Sequence, residues 1–168
     1  MTKNAVAEYR VGILTLSDKG ARGERVDESG EILREMAAEL GTVCCYEMIP
    51  DDFPLIVATL RDWADNRKLD LLLTTGGTGL SPRDVTPEAT LAVIDREVPG
   101  MAEAMRAASL AKTPHAMISR AVVGLRGTTL IANMPGSPKA VRENFAVLLP
   151  ALPHALAKLK GDPSDCAR

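Results

Sequence analysis

The sequence predicts an α/β protein: a three-layer, Rossmann-like sheet, mostly parallel, with helices on both faces. Two observations carry this. Short apolar runs at residues 10–17, 42–49 and 69–74 alternate with stretches whose apolar residues recur at helical spacing. Alternation of that kind requires crossovers, which are right-handed and place helices against both faces of a parallel sheet.

The first run, RVGILTLS, suits a buried strand with Ser17 and Asp18 at its carboxyl end. A glycine-rich, charged loop follows at 19–27. Ile32, Leu33, Met36, Ala37 and Leu40 then form one helical stripe, with Asp27 or Ser29 as its N-cap and Gly41 as its stop. A strand at 42–49, a loop at Pro50-Asp51-Asp52 and a helix at 54–68 with Ile56, Leu60 and Trp63 inward lead to the third strand. Helices are expected at 86–95 and 101–112, with Met101 and Met105 in the core. Strands at 116–125 and 128–132 form a hairpin turned at Arg126-Gly127. Ser137 is an N-cap candidate with Pro138 at the first helical position, and Pro150 and Pro153 are expected to kink the helix that follows. A single domain is expected over residues 1–168, with a loose polar tail from about 162.

Composition narrows the function. With 46% hydrophobic and only 3% aromatic residues, the core is aliphatic, and the net charge of −2 gives no basic footprint for nucleic acid. Three cysteines, two of them adjacent at Cys44-Cys45 and one at Cys166, make no disulfide framework and fit a reducing cytosol. His115 and His154 are too few and too far apart for a zinc site. No signal-peptide pattern and no bilayer-length apolar run is seen, so the expected protein is soluble and cytoplasmic, without membrane partners.

The chemistry is concentrated at Thr74-Thr75-Gly76-Gly77-Thr78-Gly79, followed by Leu80-Ser81-Pro82-Arg83-Asp84-Val85-Thr86-Pro87-Glu88. An apolar strand delivers three glycines in four positions, a backbone able to turn tightly and present bare N–H groups to an anion. Thr86-Pro87 reads as an N-cap and first helical residue, which places a helix N-terminus near the loop. Asp84 is a hard oxygen ligand suited to Mg²⁺ beside phosphate. The spacing is neither a Walker A loop nor a dinucleotide fingerprint. Because ligands bind beyond the carboxyl ends of parallel strands, Ser17-Asp18, Pro50-Asp51-Asp52 and the glycine loop should converge at one edge. Asn133-Met134-Pro135-Gly136-Ser137 offers a second strand-to-helix anion site. From sequence alone, Asp51 reads as a helix cap, and Ser119-Arg120 as an outward-facing pair on an edge strand.

The glycine string, Asn133-Met134-Pro135-Gly136-Ser137-Pro138-Lys139 and the early Ser17-Asp18 together resemble the Mog/MoaB family of molybdenum-cofactor biosynthesis proteins, over almost the whole chain from about residue 10 to about 161. The resemblance implies a nucleotidyltransferase that moves AMP from ATP to molybdopterin and releases pyrophosphate. A non-enzymatic pterin-binding or scaffold protein is the alternative it leaves open. It implies Asp51 and Asp84 as the catalytic pair and as ligands of Mg²⁺, with ATP as co-substrate. Thr75, Gly76, Gly77, Thr78, Gly79, Arg83, Ser109, Ser119 and Arg120 are expected to bind substrate. Ser17, Asp18, Asp27, Ser29, Gly30, Asn133, Pro135, Gly136, Ser137 and Lys139 are expected toward the nucleotide. A homotrimer, and contact with other enzymes of the cofactor pathway, are implied in the same way.

Overall fold

The computed structural model describes residues 9–165, so Cys166 and the last tail residues lie outside it. Six strands form one sheet in the order β2-β1-β3-β6-β5-β4. The elements are β1 (Tyr9–Leu16), α1 (Asp18–Ala21), α2 (Glu28–Ala37), β2 (Gly41–Ile49), α3 (Phe53–Asp65), β3 (Leu71–Thr75), α4 (Thr86–Leu91), β4 (Arg96–Glu97), α5 (Pro99–Leu110), β5 (Val123–Arg126), β6 (Thr129–Met134), α6 (Pro138–Leu148) and α7 (Leu152–Leu159). β2, β1, β3 and β6 run parallel, whereas β5 and the two-residue β4 are antiparallel additions at one edge.

Alternating side chains of the central strands build two cores. Val11, Ile13, Leu71, Leu73, Leu130, Ala132 and Met134 face α2, α5, α6 and α7. Leu14, Leu16, Leu72 and Ile131 face α3 and α4, where Ile56, Leu60, Trp63 and Ala89 are buried. The period-two pleat of strands buried on both faces produces this division. Met105 is buried in the first core and Met101 packs half-buried against it, in keeping with the core expectation.

Three expectations need correction. Residues 116–122 are not strand. Pro114–Ile118 forms a 3₁₀ turn capped by the Thr113 hydroxyl, and pairing begins only at Val123. Pro114 fixes a turn where the apolar pattern suggested extension. Thr86 is not the N-cap of α4: Val85 holds that position without a side-chain cap bond, and the Thr86 hydroxyl instead donates to the Gly76 carbonyl at 3.0 Å. The C-terminal helix is broken rather than kinked, because Pro150 has no N–H to continue α6, and Pro153 sits in the first turn of α7. The Arg126-Gly127 hairpin is present, with Gly127 at φ 54°, and Ser137 and Asp27 cap α6 and α2 as expected.

Candidate active site

The crossover from β1 to β2 carries α2 on one face, and that from β2 to β3 carries α3 on the other. The carboxyl ends of adjacent β1 and β3 are therefore the switch point of the sheet. A cleft of about 690 Å³ opens there, lined by Thr15, Ser17, Asp27, Ser29, Asp51, Thr75, Gly76, Gly77, Asp84, Gly136 and Ser137 among others. The convergence expected from the sequence is realised.

The glycine loop is held from below. Gly76 and Gly77 have φ of 96° and 67°, a region closed to most side chains, so the chain reverses here only because both are glycine. The Gly76 N–H bonds the Met134 carbonyl at 3.3 Å, the Thr75 hydroxyl donates to the Pro135 carbonyl at 2.7 Å, and the Thr86 N–H returns to the Gly77 carbonyl at 3.2 Å. Gly76 thus spends its donor internally. The N–H groups of Gly77, Thr78 and Gly79 make no hydrogen bond to a described residue, and of the three only Gly77 lines the cleft, where its amide can meet an anion.

Asp51 is not a cap. Asp52 caps α3 by accepting from the Leu55 N–H at 2.9 Å, which frees Asp51 to face the cleft. Asp51 and Asp18 exchange backbone bonds: the Asp18 N–H donates to Asp51 Oδ2 at 3.2 Å, and the Asp51 N–H to Asp18 Oδ1 at 3.0 Å. Asp51 Oδ1 is buried with no partner among the described residues. Burial pushes the Asp51 carboxyl above its ordinary value, and the neighbouring charges of Asp18 and Asp84 push the same way. Asp84 Oδ2 accepts from the Ser81 N–H at 3.0 Å and lies beside Gly79, while Asp51 Oδ1 lies beside Gly77. The two carboxylates thus stand beside glycines two positions apart in one loop.

Other expected residues take different posts. Arg83 is committed to Asp18 through two bonds of 2.9 and 2.8 Å, which hold the Asp18 carboxyl below its ordinary value, and Arg83 does not line the cleft. Asp27 is saturated: it accepts from the Thr15 hydroxyl at 2.6 Å, the Tyr46 hydroxyl at 2.8 Å and the Gly30 N–H at 2.9 Å. Burial, with Asp27 beside it, raises the Tyr46 hydroxyl's pKa. Asn133 is fully buried and turned away from the cleft, its amide donating to Thr74 and Thr90 and accepting from the Val122 N–H. Ser29 donates to the Gly136 carbonyl at 2.8 Å, tying the start of α2 to the loop after β6. Lys139 is exposed and outside the lining. Ser109 and Ser119 line a separate, smaller hollow beside Pro135 and Asn144.

Arg120 clasps the glycine string. Its backbone N–H donates to the Thr78 carbonyl at 3.0 Å, and its guanidinium to the carbonyls of Gly79 and Asp84, each at 2.7 Å, and to the Glu88 carboxylate. Sequence reasoning missed that role, and it missed Arg25, Val26, Glu28 and Met48 in the cleft wall. For Arg25 and Val26 the one signal was the charged loop at 19–27; Glu28, at the start of α2, and Met48, near the end of β2, gave none.

The chain matches, over residues 12–154, the family described as "Probable molybdopterin binding domain". It belongs to this family. Among curated proteins, it is 43% identical over 169 residues to gephyrin of Dictyostelium discoideum, covering 94% of this chain but only 23% of that protein. The chain thus spans about a quarter of that relative's length. It is 44% identical over 139 residues to molybdopterin adenylyltransferase of Escherichia coli K12, covering 81% of this chain and 71% of the relative. A solved structure of the molybdopterin biosynthesis enzyme MoaB from Thermus thermophilus superposes with a TM-score of 0.87 at 56% identity, covering 94% of this chain and 99% of that one. Among the described residues, no helix is long and apolar enough to cross a membrane.

Proposed function

We propose that this protein is a molybdopterin adenylyltransferase, transferring AMP from ATP to molybdopterin and releasing pyrophosphate. The observation that carries the reading is the pair Asp51 and Asp84, whose carboxylates lie beside Gly77 and Gly79 of the glycine loop, with one buried Asp51 oxygen that has no partner among the described residues. The likeness to named adenylyltransferases supports it.

The donor set suits Mg²⁺, which favours carboxylate oxygens and keeps several positions for water and substrate phosphate, so two acidic side chains suffice. Asp51 and Asp84 would hold the ion, which would supply positive charge against the phosphate oxygens. A terminal phosphate oxygen of the pterin attacks the α-phosphorus of ATP. The new P–O bond forms as the bond to the β-phosphate oxygen breaks, and pyrophosphate departs with that electron pair. The attacking oxygen is already ionised, so no general base is needed. The amide of Gly77 binds phosphate, the α6 N-terminus at Ser137 closes the far wall, and Arg120 holds the loop in shape as a positioning residue. Catalysis then rests on positioning and charge neutralisation.

We further propose a cytoplasmic homotrimer that meets other enzymes of the cofactor pathway. Exposed Leu110, Met117 and Ile118 support an apolar interface, and sedimentation equilibrium tests the trimer. The activity is tested by incubating the protein with molybdopterin and Mg-ATP and following adenylylated molybdopterin and pyrophosphate by chromatography and mass spectrometry. Formation of both products supports transfer. Tight pterin binding without either product would establish a carrier instead.

A further inference from the structure

Charge is out of balance in the cleft. Its lining holds four carboxylates, Asp27, Glu28, Asp51 and Asp84, against one cation, Arg25. Two anionic substrates entering together need positive charge on the wall. The basic residues the motif offered do not supply it, because Arg83 is locked to Asp18, and Lys139 stands outside the lining.

Arg25 differs from both. Its guanidinium makes no hydrogen bond or ion pair to any described residue, although Arg22 and Glu24 nearby satisfy each other at 2.9 Å. It stands two residues before the Asp27 cap of α2, and α2 packs into the core on one face of the sheet. Asp51 and Asp84 instead lead into α3 and α4, which pack on the other face. The cleft therefore has the acidic pair and the glycine loop rooted in one layer, and a single uncommitted guanidinium rooted in the other. A planar guanidinium with five donors suits phosphate oxygens, and left unpaired it gives up no internal partner on binding.

We infer that Arg25 binds the β- and γ-phosphates of the nucleoside triphosphate, the part that leaves as pyrophosphate. The inference rests on the transfer reading above and adds the residue that recognises the leaving group. It separates roles within the cleft: the acidic pair and the Gly77 amide act at the α-phosphate, and Arg25 discriminates triphosphate from monophosphate.

The test is calorimetric titration of wild type, Arg25→Gln and Arg25→Lys with Mg-ATP, AMP and molybdopterin separately. Arg25→Gln should bind Mg-ATP about tenfold more weakly, the scale of a lost charge-assisted hydrogen bond, while affinities for AMP and molybdopterin stay within about twofold. Arg25→Lys should recover part of the loss. Because Arg25 is exposed and unpaired, the thermal midpoints of all three proteins should coincide. Equal Mg-ATP affinity in wild type and Arg25→Gln overturns the assignment alone, as does an equal loss toward AMP or a loss confined to molybdopterin. A wild-type chain with no affinity for Mg-ATP overturns the transfer reading and the assignment with it.

Discussion

At Asp51 the protein gives up stability for a charge. A carboxyl whose folded pKa is raised holds its proton more tightly in the native than in the unfolded state. Stability therefore falls as pH climbs from the ordinary carboxylate value to the raised one, and above the raised value the penalty is fully present. Asp51→Asn removes that penalty. The variant should melt about 2 °C higher at pH 7, a modest gain because Asp51 is only half buried, yet lose its Mg²⁺-dependent ATP affinity. Scanning calorimetry and ATP titration check the two halves, and a lower midpoint would contradict the burial argument. Asp84 is a simpler test. Asp84→Asn keeps the oxygen that accepts from the Ser81 N–H, so circular dichroism should be unchanged while turnover falls by about 100-fold or more. Full turnover in the folded variant would remove Asp84 from the mechanism.

The glycine string and the segment before β5 behave as one element, although Gly79 and Arg120 stand 41 positions apart in the chain. A single guanidinium satisfies the Gly79 and Asp84 carbonyls, and neither has another partner as well placed. Arg120→Met should let residues 79–88 loosen, lowering turnover about tenfold with little change in molybdopterin affinity, and Arg120→Lys should fail to rescue it because one ammonium cannot span the sites of a planar fork. Steady-state kinetics with both variants decides this. Full rescue by lysine would mean that charge, not the fork, is what matters. Elsewhere, element boundaries followed local chemistry: Asp27 and Ser137 cap their helices as the sequence suggested, and Asp52 takes the cap expected of its neighbour Asp51, each through a side chain three residues from the N–H it satisfies.

Both layers of helices pack on the same four parallel strands, so neither core can be lost without the other. Trp63, the only tryptophan, is 1% exposed in the α3–α4 layer, whereas most helix lies in the opposite layer. Denaturant curves from Trp63 fluorescence and from far-ultraviolet circular dichroism should therefore coincide. Separated midpoints would show that the layers melt independently.

Much of this protein is legible in the chain itself. The α/β alternation, the inward positions of Ile56, Leu60 and Trp63, the hairpin at Gly127 and the glycine loop follow from periodicity and backbone freedom, which act over a few neighbouring residues. The convergence of Asp51, Asp84 and Gly77 was legible too, through the rule that ligands gather beyond parallel strand ends. Only the tertiary structure decided who partners whom. Arg83 could have faced a ligand, Asp27 could have been a free carboxylate, and Asn133 could have pointed into the cleft. Asp18, Tyr46 and the two threonines beneath Asn133 settled each case from distant parts of the chain. A side chain's donors and acceptors are written in its residue type, but whether they are already spent depends on contacts that no local pattern encodes.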